Sequence, residues 1–158
     1  MKTEVIYEIK EIIRPHQTVI AKRAKLRFWK LSSFLMKTFV AIYTDLYNRG
    51  TPGKKPGFAI YHSIDFSKKE TDVAVAVPVE DDTDAPDGFE KIFLPATRAI
   101  ATVYFGPYED TQPAYAALDK YLEKEGMEKE LVIEEYVTDP RLEKDRSKWQ
   151  TTIYYTLK

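Results

Sequence analysis

The stretch LPATRAIATVYFGPYEDTQPAYAALDKYLEKEG, Leu94 to Gly126, decides the fold. Pro95 opens a strand-like run through Ala99, Ile100 and Ala101, and the run breaks at Gly106-Pro107. A helix is predicted over roughly Thr111 to Glu125, because Ala114, Tyr115, Leu118, Tyr121 and Leu122 recur at three- and four-residue steps and share one apolar face. Pro113 suits its first turn, where a missing N–H costs nothing. Gly126 is placed to end it. A strand-like run over Leu131 to Thr138 and another over Gln150 to Leu157 follow. The unit reads strand–helix–strand–strand.

Upstream, the same order occurs once more. Pro15 opens PHQTVIAKRA, with Val19, Ile20 and Ala21 in the places of Ala99, Ile100 and Ala101. A helix is predicted over roughly Leu31 to Asn48, with Leu31, Phe34, Leu35, Thr38, Phe39, Ile42 and Leu46 on its buried face and Gly50 at its end. Phe58 to Ile64 places Phe58, Ile60, His62 and Ile64 on one face and Ala59, Tyr61 and Ser63 on the other. DVAVAVPV, Asp72 to Val79, alternates with a clean period of two. The acidic, turn-rich stretch 80–88 reads as a linker between repeat units at about 15–79 and 95–157, within one domain over 1–158. Strand-like stretches before each unit, 4–12 and 89–94, extend the sheets. The expected class is α+β: duplicated strand–helix–strand–strand units, a mainly antiparallel sheet, two principal helices and a central ligand cleft.

Composition narrows the function classes. The chain has 158 residues, 44% of them hydrophobic, so one core forms without staples. The 24 basic and 25 acidic residues are well mixed, which argues against direct nucleic-acid binding. Cysteine is absent, which excludes disulfides and thiol chemistry. His16 and His62 lack a metal-site spacing, and no phosphate loop, nucleophile elbow or HExxH occurs, so neither metal nor cofactor is expected. No apolar run suits a membrane helix, and the acids of the N-terminus do not suit a signal peptide, so a cytoplasmic protein without a membrane partner is expected. Eleven tyrosines and eight phenylalanines supply apolar faces, many with a polar tip. The basic run from Lys22 to Lys30 reads as a solvated strand end, and Arg141 to Trp149 as a solvated loop or short helix.

The Leu94–Gly126 stretch, with its proline-led strand, Gly-Pro-Tyr turn and helix, is similar to the signature of the GyrI-like proteins. Glu134-x-Tyr136 leading into Asp139-Pro140, the Tyr61-His62 pair and DVAVAVPV continue the resemblance across nearly the whole chain. It implies two such units around a cleft where their sheets meet. In the chain's first half, Ala74 and Ala76 stand where many relatives carry an acid, and LRFWKL, Leu26 to Leu31, replaces the Gly-Pro-Tyr turn. A less polar cleft is the expected consequence, with Phe28 and Trp29 beside it. Only about a dozen residues precede the first repeat, so no helix-turn-helix is expected there.

The resemblance makes Glu134 the ligand-contacting acid; in an extended strand it shares a face with Tyr136, while Glu135 points away. Tyr61, Tyr136, Tyr154 and Tyr155 are the candidate cleft walls, and only one of the adjacent pair Tyr154–Tyr155 can line a given cleft. Tyr108 is expected to fix the turn before the second helix. The leading expectation is a module that binds or sequesters hydrophobic, often cationic, drug-like molecules, of the kind found in multidrug regulators. A second is a hydrolase of cyclopropane-bearing genotoxins, with Glu134 activating water and Tyr61 or Tyr136 donating a proton. A third, as the family name suggests, is a protein-interaction inhibitor of a DNA enzyme; no protein partner is specified by any motif.

Overall fold

The computed structural model describes residues 5–158. Its elements are β1 (Lys10–Arg14), β2 (Gln17–Arg27), α1 (Phe28–Asn48), β3 (Phe58–Asp65), β4 (Glu70–Val79), β5 (Glu90–Leu94), β6 (Thr97–Phe105), α2 (Gln112–Glu125), β7 (Lys129–Tyr136) and β8 (Gln150–Leu157). All eight strands join one antiparallel sheet in the order β1-β6-β8-β7-β3-β4-β2-β5. Residue 4, where the first strand-like stretch was read to begin, lies outside the described residues. The strand itself is shorter and later, and it ends against Pro15, which has no N–H to continue a ladder.

The strand order is its own mirror. Exchanging β2, β3, β4 and β5 with β6, β7, β8 and β1 reproduces it, so the two strand–helix–strand–strand units are related by a pseudo-twofold axis between β3 and β7. Each unit takes its edge strand from the segment leading into the other: β1 pairs with β6, and β5 with β2. The prolines opening the units, Pro15 and Pro95, lie 80 positions apart, but Ile60 and Ile133, which face each other at the axis, lie 73 apart. Helix α1 is seven residues longer than α2, and the connections differ too: six residues precede α2 and none α1, while nine follow α1 and three follow α2.

The sheet is strongly curled. Arg14, on edge strand β1, reaches the ring of Phe58 on β3 at 5.0 Å. Four strand spacings of about 4.8 Å would separate them by roughly 19 Å on a flat sheet, well beyond an arginine's reach. The concave side carries the small side chains Ala21, Ala74 and Ala76 with Val19, Phe58, Ile60 and Ile133. The alternation of β4 explains this: its valines Val75, Val77 and Val79 pack under α1, and its alanines leave room for the curl.

Both helices lie on the convex side, α1 over β2 and β4, α2 over β6 and β8. The central pair β3–β7 therefore runs between them. Helix α1 starts at Phe28, earlier than the apolar pattern shows, because its first turn is exposed and is anchored by the Phe28 N–H to the Lys69 carbonyl (2.8 Å) instead of by packing. Its last buried positions are Thr38, Ile42 and Leu46. Burying a side chain such as Leu46 or Ile42 stabilises the fold by roughly 1.5–3 kcal/mol. Helix α2 carries Pro113 in its first turn and ends at Gly126 in the left-handed conformation (φ 65°). Strand β7 ends at Tyr136, short of Thr138, because the Val137 N–H turns to the Gln150 carbonyl.

Candidate functional site

On the convex face, the strands at the pseudo-twofold axis bring two equivalent positions together. Tyr61 on β3 and Glu134 on β7 each follow the axial isoleucine of their strand, and their side chains meet between the helices. Period-two alternation carries Val132 and Tyr136 to the same face, while Ile133 and Glu135 go to the concave side. Beneath them Val73 and Ile153, cross-strand partners of Tyr61 and Glu134, form a fully buried apolar floor.

Three phenol hydroxyls converge on the Glu134 carboxylate. Tyr136 donates to Oε1 at 2.8 Å and Tyr61 to the same oxygen at 3.2 Å; Tyr115, from α2, donates to Oε2. The Tyr61 and Tyr136 oxygens lie 3.5 Å apart. All three phenols are pushed above their ordinary range near 10, first by burial, which disfavours the phenolate, and then by the charge of Glu134. At neutral pH they stay protonated and can donate to the carboxylate.

Aromatic rings extend this wall outward. Phe39 of α1 meets Tyr136 edge-on at 6.0 Å between centroids and stacks with Tyr43 at 6.4 Å. Tyr108 meets Tyr136 edge-on at 5.5 Å and stacks on Trp149 at 5.1 Å. Tyr108 follows Gly106, whose φ of 141° no side chain adopts comfortably, and a Cβ there would lie 2.7 Å from the Tyr104 hydroxyl. That hydroxyl donates to the Pro107 carbonyl at 2.6 Å and so pins the turn.

The two adjacent glutamates differ in their partners. Glu135, on the concave face, pairs with Arg14 at 3.3 Å, and Arg14 is 7% exposed between the rings of Phe58 and Tyr154 (4.4 Å to the latter). Glu134 has tyrosines alone: among the described residues no Lys, Arg or His pairs with it. The described residues also contain no group of three His, Asp or Glu able to hold a metal ion.

Of the sequence candidates, the structure joins Glu134, Tyr61 and Tyr136. Tyr155 shares their face but lies 1% exposed under α2, with its hydroxyl on Asp119 (2.7 Å). Tyr154 faces the concave side. Phe28 and Trp29 are not brought to the cluster: Phe28 packs on Phe66 (5.9 Å), and Trp29 is 78% exposed. Nine residues before buried Thr38, Trp29 is about two and a half turns away, hence on the opposite side of α1. Tyr115 was read only as part of the apolar face of α2. Its signal was chemical, since a tyrosine buried under a helix needs a partner for its hydroxyl.

A model of the GyrI-like small molecule binding domain matches residues 7–158. A search of the curated proteins finds no significant match. Among solved structures, the EcmrR C-terminal domain aligns with 98% of this chain and 99% of that domain at 21% identity and a TM-score of 0.79. EcmrR in its DNA complex aligns with 96% of this chain at 23% identity and a TM-score of 0.83; this chain spans 57% of it. The structure of SAV2435 bound to tetraphenylphosphonium aligns with 98% of this chain and 94% of that one at 11% identity and a TM-score of 0.62. At these identities the likeness is one of fold.

Proposed function

Because this chain belongs to the GyrI-like small molecule binding domain family, we propose that its ligands are lipophilic organic cations, held at Glu134 between the two helices. The observation that carries this reading is a carboxylate without a cationic partner among the described residues. Glu134 sits over an apolar floor among Tyr61, Tyr115 and Tyr136, and its partners among the described residues are their hydroxyl dipoles. A delocalised cation fits that deficit. Its apolar groups are taken by the rings of Tyr136, Phe39 and Tyr108, and each tyrosine face adds about 0.5–2 kcal/mol of cation–π attraction. A small cation such as ammonium gains less, because its hydration is lost and only the carboxylate and a few phenol oxygens replace it. The tetraphenylphosphonium bound by SAV2435, a protein of the same fold, is a cation of this kind.

The test is Glu134→Gln against a cation and a neutral molecule of similar shape. Removing the charge weakens the cation strongly and the neutral compound little. The convergence of Tyr61 and Glu134, 3.2 Å apart, also gives a hydrolytic reading its required geometry, with the carboxylate taking a proton from water and a phenol donating to the substrate. Mass spectrometry of the ligand recovered from the same binding mixture separates the two: unchanged ligand supports binding, and a hydrated or ring-opened product supports turnover.

A further inference from the structure

At one end of the sheet, away from Glu134, the end of β2, the first turn of α1 and the β3–β4 turn form a tip. The Phe28 N–H bonds the Lys69 carbonyl at 2.8 Å, and Phe28 packs edge-on against Phe66 at 5.9 Å, so the helix start and the turn are one surface. Two large aromatics project from it: Trp29 is 78% exposed and Phe66 77%. Around them stand Lys25, Arg27, Lys30, Lys68 and Lys69, all exposed. The acids nearby are already engaged. Asp65 accepts from the Ser67 hydroxyl and from the Ser67 and Lys68 N–H groups, and Glu70 pairs with Arg27 at 3.6 Å. Asp72, across from Lys25, is held by Arg23 at 2.8 Å. Arg27 is thus paired, while the four lysines form no ion pair among the described residues, in a chain whose formal net charge is −1. The tip is a local basic patch.

We infer that the tip docks on an anionic lipid bilayer, with Trp29 and Phe66 entering the headgroup region and the five cations lying over acidic headgroups. Three features favour a bilayer over other acidic partners. Both large aromatics protrude into solvent, which suits insertion between headgroups. Four of the five cations are lysines, mobile point charges that match a fluid field of headgroups, whereas fixed anionic groups on a protein are matched best by the guanidinium fork. Tryptophan has an amphipathic ring suited to the interface, and the Lys30 Nζ lies 5.0 Å from the Trp29 ring, so cation and ring reach the same depth. No described helix is long and apolar enough to cross a membrane, so the contact is peripheral.

The experiment is co-sedimentation of the whole chain with vesicles of phosphatidylcholine, alone or mixed with phosphatidylglycerol, at low and high salt. Binding is expected only to the mixed vesicles, falling with salt, and with a blue shift of tryptophan emission that Trp29→Phe abolishes. Lys25→Gln and Lys68→Gln should each weaken binding about fivefold, and together roughly 25-fold. These positions are exposed, so coincident thermal melts establish that the variants are folded. Failure to bind mixed vesicles, unchanged binding by the double lysine variant, or stronger binding to a single-stranded oligonucleotide or polyglutamate than to vesicles would each overturn the inference. None of these outcomes touches the Glu134 reading, whose ligand and variants are different.

Discussion

Tyr115→Phe isolates one hydroxyl from everything else the ring does. The ring's packing near Tyr155, 6.1 Å between centroids, is kept, while Glu134 Oε2 loses the only partner it has among the described residues. Oε1 retains Tyr61 and Tyr136. A hydrogen bond to a charged group contributes about 1.5–3 kcal/mol, and a partly buried oxygen left bare cannot recover all of it from water. The expected loss of stability is therefore about 1.5–3 kcal/mol, or roughly 3–12 °C in Tm for a chain of this size. Urea denaturation of a double-mutant cycle measures it cleanly. In the Glu134→Gln background the charge is gone, so Tyr115→Phe should cost at least about 1 kcal/mol less than in the wild type. A cost under about 0.5 kcal/mol in the wild type, or equal costs in both backgrounds, would refute the argument that the hydroxyl serves the carboxylate.

Two further outcomes follow from the same geometry. Tyr61, Tyr115 and Tyr136 are raised by burial and by Glu134, so the folded chain keeps protons that the unfolded chain releases near pH 10. Their contribution to stability is complete below pH 10 and declines as pH rises above it; tyrosinate absorbance should show these three ionising only as the circular dichroism signal is lost, and their earlier, reversible titration would contradict it. On the concave face, Arg14→Leu leaves Glu135 without its cation and removes a guanidinium packed between two rings. Since the pair is only partly buried, a loss of about 2–4 kcal/mol is expected by urea denaturation.

Much of the fold was legible because duplication leaves repeated punctuation. Pro15 and Pro95, Gly50 and Gly126, and the alternation in β4 placed the strands and helices without reference to contacts between them. What periodicity could not give was the way the halves join. The β3–β7 pairing that makes one sheet of two units, and the exchange of edge strands β1 and β5, are long-range choices with no local signature. The site divides along the same line. Alternation sent Glu134 and Tyr136 one way and Glu135 the other, and family resemblance chose between the two acids. The partners that distinguish them, Arg14 for Glu135 and Tyr115 for Glu134, come from 121 and 19 residues away. Trp29 lies away from the Glu134 cluster for a local reason: helical phase opposes it to Thr38, and the phase is readable only once the helix is known to begin at Phe28.

The role proposed for Glu134 is the recognition of positive charge. Isothermal titration calorimetry of the wild type and Glu134→Gln with tetraphenylphosphonium and with neutral triphenylphosphine oxide tests it most directly. Unit charges about 4 Å apart interact by about 4 kcal/mol at an effective dielectric of 20, and desolvation takes back part of this. A net of about 2–3 kcal/mol corresponds to a roughly 30- to 150-fold loss of affinity for the cation in the variant. The neutral compound should change by less than about threefold, since its contacts are with the rings. Equal losses for both compounds, or a wild type that binds the cation no better than the variant does, would contradict the account.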